Sequence, residues 1–254
     1  MVNRDEITEF CDTLLDAPRF EAVEYGPNGL QVPGKREVSR IASCVSANLA
    51  SLEKAVEAGA DLVLAHHGIF WKFQPRSLSE QLAARIRCLL ESDTNLLAYH
   101  LPLDAHSEVG NNALLCRQLG FEVTEPFAYS DGIPIGWTGV TSDPVPTADL
   151  DERIAALLDR KPLLQGKVGG DVSRMGFVSG GGASFVYEAI DRGLDAMITG
   201  EPSEYVMATA LEGNLAFWAA GHYATETLGV RALGDLLAEE FGVEHFFVDV
   251  PNPV

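Results

Sequence analysis

Between Asp61 and Trp71 the chain reads DLVLAHHGIFW. Leu62, Val63, Leu64 and Ala65 run without polar alternation into two adjacent histidines and a glycine. An apolar run this short and unbroken fits a strand buried on both faces, as in a parallel sheet covered by helices on each side. Ligands of open α/β sheets bind beyond the carboxyl ends of the strands, which is where His66 and His67 fall. Regular pleating sends adjacent side chains to opposite faces. Where the strand gives way to a loop at Gly68, both rings can turn toward one site. The expectation is that His66 and His67 hold metal and that the rest of the chain supplies the remaining ligands.

The surrounding elements fit such a sheet. Asn3 followed by Glu6 forms a capping-box signature, and Ile7, Phe10, Cys11, Leu14 and Leu15 keep helical spacing until Pro18. GPNGLQVPG (26–34) is turn-rich around a short extended piece, 29–32. Strands are expected at 41–45 and 95–99, with a helix through Leu52, Ala55 and Val56 closed by Gly59. A second helix, with Ser77 and Glu80 at its start, carries Leu82, Ile86, Leu89 and Leu90. Glu125 to Pro146 reads as a looser, turn-rich divider, so the predicted units are 1–125 and 126–254. Beyond it come a helix from Thr147, strands at 174–178, 196–199 and 215–219, a helix from about 225 to 240 and a last strand at 245–250. The last helix and strand are candidates to pack back on the first unit. Strand alternating with helix argues for an α/β fold with mixed, largely parallel sheets.

The halves echo each other. AVEAGADLVLAHH (55–67) aligns without gaps on AIDRGLDAMITGE (189–201). Downstream of each, a strand beginning Asn-Leu leads to a histidine with a carboxylate four residues on: His100 and Asp104 in HLPLD, His222 and Glu226 in HYATE. An internal duplication lets two α/β units pool the ligands at their strand ends. His66, His67, His100, Asp104, His222 and Glu226 make four imidazoles and two carboxylates, enough for two ions at about three protein ligands each. Imidazole and carboxylate without thiolate point to two divalent transition-metal ions, Zn, Fe, Mn or Co. Pro102 biases Leu101 toward extended geometry, so His100 and Asp104 are not read as one helix face. Glu226 is placed in the first turn of the last helix. Glu201 stands where His67 stands in the repeat; a general base, a carboxylate behind the ligands and an ordinary loop acid are all open to it. The SGGGA loop (179–183) can offer backbone N–H groups to a phosphate or simply turn tightly. Trp71, Phe73 and Tyr99 stack on a base or wall the pocket. His106 and His245 are read as ordinary hydrogen-bonded histidines, and no Ser-His-Asp nucleophile stands out.

Composition narrows the function. The 254 residues carry 18 basic and 37 acidic side chains, a formal net charge of −19 that disfavours nucleic acid as a partner. Only five of the basic residues are lysine, and abundant carboxylate with scarce lysine is the pattern of a halophilic protein. Cys11, Cys44, Cys88 and Cys116 form no CxxC pair and suit a reducing compartment. With no membrane-length apolar stretch and no signal-peptide pattern at the start, the expected location is cytoplasmic and no membrane partner is expected.

GADLVLAHHGIFW, HLPLD, TGE (199–201) and GHYATE together resemble the YbgI-like dinuclear-metal-centre proteins, often named type 2 homologues of GTP cyclohydrolase I. The resemblance covers the whole chain, GLQV included, and matches the short form without an inserted middle domain. It implies two interlinked α/β units, a toroidal homo-hexamer, and the same six ligands. The chain departs from the family pattern at Gly68, where proline is usual, and at Leu101-Pro102, where Thr-Asn is usual. Two functions are carried forward. One is a metal-dependent hydrolase of a nucleotide-like or phosphorylated small molecule, GTP ring opening being what the family name implies. The other is a non-catalytic metal-binding assembly for storage, chaperoning or regulation.

Overall fold

A computed structural model of the chain describes residues 1–75 and 77–254. They form two compact units, Met1–Leu103 with Gly229–Val250, and Asp104–Leu228 with Pro251–Val254. No described helix is long and apolar enough to cross a membrane.

The first unit begins with β1 (Val2–Asn3) and α1 (Arg4–Leu14), whose Asn3 side chain accepts the Asp5 N–H as N-cap. It continues through β2 (Gly29–Val32), β3 (Glu37–Val38), β4 (Arg40–Ser46), α2 (Leu49–Glu57), β5 (Leu62–His67), α3 (Glu80–Glu91), β6 (Asn95–Ala98) and the start of α4 (Leu101–Ala105). Most of α10 (Thr227–Phe241) and β13 (Glu244–Phe247) return from the end of the chain to complete it. The sheet order is β13-β4-β5-β6-β2, parallel except for β2. β5 is central, which is why Leu62–Ala65 are all buried and the run shows no alternation. Val63 and Ala65 face one core with Leu52, Leu89 and Leu96. Burying each large side chain of such a core contributes about 1.5–3 kcal/mol. Helix α3 is capped by Ser79, which accepts the Leu82 N–H at 3.2 Å, not by Ser77. Ser79 stands three residues before Leu82, the spacing that lets a side-chain oxygen reach an N3 donor.

The second unit holds α5 (Asn111–Gln118), β7 (Glu122–Ser130), β8 (Ile133–Pro146), α6 (Thr147–Leu158), β9 (Leu163–Gly166), β10 (Asp171–Phe177), α7 (Val186–Asp191), β11 (Ala196–Thr199), α8 (Val206–Glu212), β12 (Ala216–Ala219) and α9 (His222–Thr225). Its sheet order is β7-β8-β10-β11-β12-β9, with β10, β11 and β12 parallel. Both faces are covered: Ile198 and Trp218 enter one core with Met175 and Phe177, while their neighbours Met197 and Phe217 enter the other with Phe127 and Val186.

Two expectations change here. The turn-rich divider 125–146 is a long antiparallel hairpin, β7 with β8, closed by Asp131-Gly132 at φ 45° and 84°. Two consecutive positive φ values are what a two-residue hairpin turn with the sheet's twist needs. Its prolines do not break it. Pro126 lies on the edge strand, Pro134 and Pro146 pair on one side only, and Pro144 falls in the irregular stretch of β8 between its Val140 and Val145 pairs. The division between units therefore falls at Leu103/Asp104 and not at 125/126, because α5 packs on β7 and β8. Asp104 belongs to the second unit.

The duplication has a physical signature at the aspartates shared by the two repeats. Asp61 Oδ2 accepts the N–H groups of Ser39 and Arg40 at 2.6 and 3.0 Å. Asp195 Oδ2 accepts those of Ser173 and Arg174, both at 2.9 Å. Each carboxylate ties the start of its own strand to the strand beside it. Gly59 and Gly193, preceding them, hold the left-handed φ (78° and 61°) that ends each helix.

Candidate metal centre

In the first unit three histidines converge. His66 and His67 end β5 and His100 follows β6, so adjacent parallel strands deliver all three to the same sheet edge. Ring centroids lie 4.7 Å (66–67), 5.0 Å (66–100) and 5.4 Å (67–100) apart. One ligand nitrogen from each lies within 4.8 Å of the others, so small side-chain movements bring all three onto one ion at bonds of about 2.0–2.1 Å. Adjacent His66 and His67 do turn to one side where the strand ends.

Each ring is held by its Nδ1. His66 Nδ1 lies 3.0 Å from the Tyr99 carbonyl, an obligate acceptor, so this nitrogen carries a proton and, in the neutral ring, Nε2 carries the lone pair. His67 Nδ1 lies 3.0 Å from Ser46 Oγ. His100 Nδ1 lies 2.7 Å from Glu24 Oε1. Burial opposes ionisation of the Glu24 carboxyl. The His100 ring, the Tyr25 N–H and the Asn28 amide outweigh it and hold the group below its ordinary range. Trp71 meets the His100 ring edge-on at 5.3 Å and stacks on Phe73 at 5.7 Å, forming a wall. Tyr99 does not belong to that wall: it is fully buried, and its hydroxyl donates to Asp12 at 2.8 Å. Gly68, at the first departure from the family pattern, lies against the Gln31 side chain, which a Cβ there would strike.

In the second unit His222 meets both Glu226 and Glu201, and a carboxylate oxygen of Asp104 lies within 4.8 Å of one of Glu226. His222 opens α9, and its Nε2 lies 3.2 Å from Glu226 Oε1 while its Nδ1 lies 2.5 Å from Glu201 Oε1. Burial lowers the His222 pKa, but the bonds and charges of Glu226 and Glu201 overcome it and raise the pKa to about 9. Glu226 caps α9 at its junction with α10, just ahead of the long helix and not in its first turn. Asp104 lies in the short helix α4, contrary to the extended geometry expected around Pro102; proline is tolerated in a first turn, where its missing N–H costs nothing. Buried Asp104 accepts at Oδ1 from Ser179 Oγ and Asn111 Nδ2, both at 2.9 Å.

In the glycine loop, N–H groups that a phosphate would call on are committed to the scaffold. Gly180 N–H donates to Thr225 Oγ1 and Gly182 N–H to Thr199 Oγ1. Gly180 has φ +59°, and a Cβ there would run into Glu226 Oε1 and come within 3.1 Å of His222 Nε2. Position 180 is glycine because the candidate ligands fill the space where a side chain would stand, while a Cβ at Gly182 would strike Val178 and Thr199.

Glu24, Ser46, Asn111 and Ser179 escape a reading of the sequence. Each touches a candidate ligand through a side chain, and only Asn111 is close to its partner in the chain. His106 and His245 are hydrogen-bonded as expected. His106 Nδ1 accepts the N–H groups of Glu108 and Val109. His245 does stand in a Ser-His-Asp array unseen in the sequence, 2.8 Å from Ser43 Oγ and 2.7 Å from Asp235 Oδ1. Ser43 is 0% exposed within β4, so no substrate reaches it; the array fastens β13 to β4.

Comparison with known proteins agrees over nearly the whole chain. The family model for Duf34/NIF3 (NGG1p interacting factor 3) matches residues 2–253. A GTP cyclohydrolase 1 type 2 homolog from Pseudomonas aeruginosa is 46% identical over 247 residues, covering 97% of each chain. The solved structure of protein ybgI superposes with a TM-score of 0.93 at 41% identity, covering 100% of both chains. That of TTHA1606 from Thermus thermophilus gives 0.88 at 32%, again covering 100% of both. By the match over residues 2–253 and by identity along the full length of its relatives, the chain belongs to the Duf34/NIF3 family.

Proposed function

We propose that the protein holds a dinuclear metal centre and is a metal-dependent hydrolase of a nucleotide-like or phosphorylated small molecule. The observation that carries this reading is the convergence of His66, His67 and His100 with each Nδ1 engaged by a partner. Three imidazoles are the protein share of a catalytic zinc-type site. His222, Glu226 and Asp104 supply the mixed imidazole and carboxylate donors that Zn, Fe, Mn or Co accept. A bound pair of such ions supplies Lewis acidity and lowers the pKa of water. Glu201, set on His222 Nδ1, is assigned here as the carboxylate that orients that ring and takes its proton. The same reading includes self-association into a ring, checked by native mass spectrometry.

The test is elemental analysis followed by turnover. Two ions per chain are expected, with hydrolysis of GTP or a generic phosphodiester abolished in His100→Ala and Glu226→Ala. Activity unchanged in both variants refutes the catalytic role. Two ions without any turnover favour the non-catalytic metal-binding assembly.

A further inference from the structure

Glu24 lies 76 residues before His100 in a turn-rich loop, yet it is nearly buried and faces that ring. Its Oε1 takes the His100 Nδ1–H at 2.7 Å and the Tyr25 N–H at 2.8 Å. Its Oε2 takes the Leu101 N–H at 3.1 Å and the Asn28 amide at 3.2 Å. A carboxylate has about four lone-pair positions, and here four donors occupy them. Glu24 is therefore committed as an acceptor and is not itself a ligand.

The loop that carries it is fixed in turn. Asn28 Oδ1 accepts the His100 N–H at 2.9 Å, so the same loop grips both the ring and the backbone of His100. The Tyr25 carbonyl accepts the Lys72 N–H at 2.7 Å, fastening the loop to the segment that follows His66 and His67. Gly26 lets it approach, since a Cβ there would strike the Phe70 carbonyl.

We infer that Glu24 is a positioning residue, dictating that His100 presents Nε2 to a metal. An ionised carboxylate only accepts, so it requires the proton on Nδ1, and its charge makes Nε2 a stronger donor. The inference rests on the metal reading above, but the pairing can be tested without metal. Glutamine at 24 would turn one acceptor oxygen into an NH₂ facing two of the four donors, and the shorter aspartate would keep the charge but retreat from the ring.

The experiment uses the full-length, metal-free protein labelled with ¹⁵N-histidine. Long-range ¹H–¹⁵N spectra are expected to show neutral His100 as the Nδ1–H tautomer, the minor form of free imidazole. Glu24→Gln should shift it toward Nε2–H and weaken Co(II) or Zn(II) binding, measured by chelator competition, by about 10–100-fold. Glu24→Asp should restore part of that affinity. A wild-type His100 in the Nε2–H form, or affinity in Glu24→Gln within twofold of wild type, overturns the inference. Should the glutamine variant fail to fold, the wild-type spectrum alone decides. An Nδ1–H tautomer in a wild type that takes up no metal sinks the metal reading while the pairing stands.

Discussion

Replacing Gly180 with alanine tests whether the glycine loop exists to seat the candidate ligands. At φ +59° the new side chain meets the left-handed penalty, about 1–2 kcal/mol. Its Cβ also lands on Glu226 Oε1 and within 3.1 Å of His222 Nε2. Glu226 is 2% exposed, so its carboxylate has little room to retreat, and such overpacking typically costs about 1–3 kcal/mol. The sum is about 2–5 kcal/mol, or roughly 4–20 °C in melting temperature for a protein of this size. Metal bound through Glu226 and His222 should be lost as well. The neighbouring Gly181→Ala is the internal control. A Cβ there meets nothing within 4 Å and the backbone is not left-handed, so stability should stay within about 0.5 kcal/mol. Thermal unfolding and metal-to-chain ratio, measured side by side, settle the point. Equal melting temperatures and equal metal content in the two variants would show that the loop does not shape the site.

Asp61→Ala and Asp195→Ala should each destabilise the protein by about 1–3 kcal/mol in urea unfolding, because each strands two strand-start N–H groups; a neutral Asp195→Ala would refute the shared role. The Asp61 carboxyl also predicts a pH dependence. Burial raises its pKa, but Lys35 and the N–H groups of Ser39 and Arg40 prevail and hold it below the usual aspartate range. A depressed folded pKa means stability that is present above the unfolded value and lost as pH falls through the folded one. Acid unfolding of Asp61→Asn should therefore lack part of the wild-type loss below about pH 4. Ser43→Ala should cost about 1 kcal/mol by removing the His245 contact. Wild-type Ser43 should resist a fluorophosphonate probe, and labelling there would contradict the fastening role.

The sequence alone carried the architecture of the sheets, because local spacing reports burial directly. The apolar run at Leu62–Ala65 needs a strand covered on both faces, and Ile7, Cys11 and Leu15 need a helix with one buried stripe. His66, His67 and His100 were visible for the same reason, as polar residues at the ends of apolar strands. Tertiary structure alone decided what those side chains touch. The Glu24–His100 and Ser43–His245 contacts join residues 76 and 202 positions apart, and Ser179 reaches Asp104 from 75 residues away. The hairpin at 122–146 belongs here too. Its prolines read as breaks until the sheet order places Pro126 on an edge and the others where pairing is one-sided or irregular. Hydrogen-bond partners and strand neighbours are set by where the chain returns in space, and a distance of about 3 Å between donor and acceptor leaves no trace in the spacing of residues.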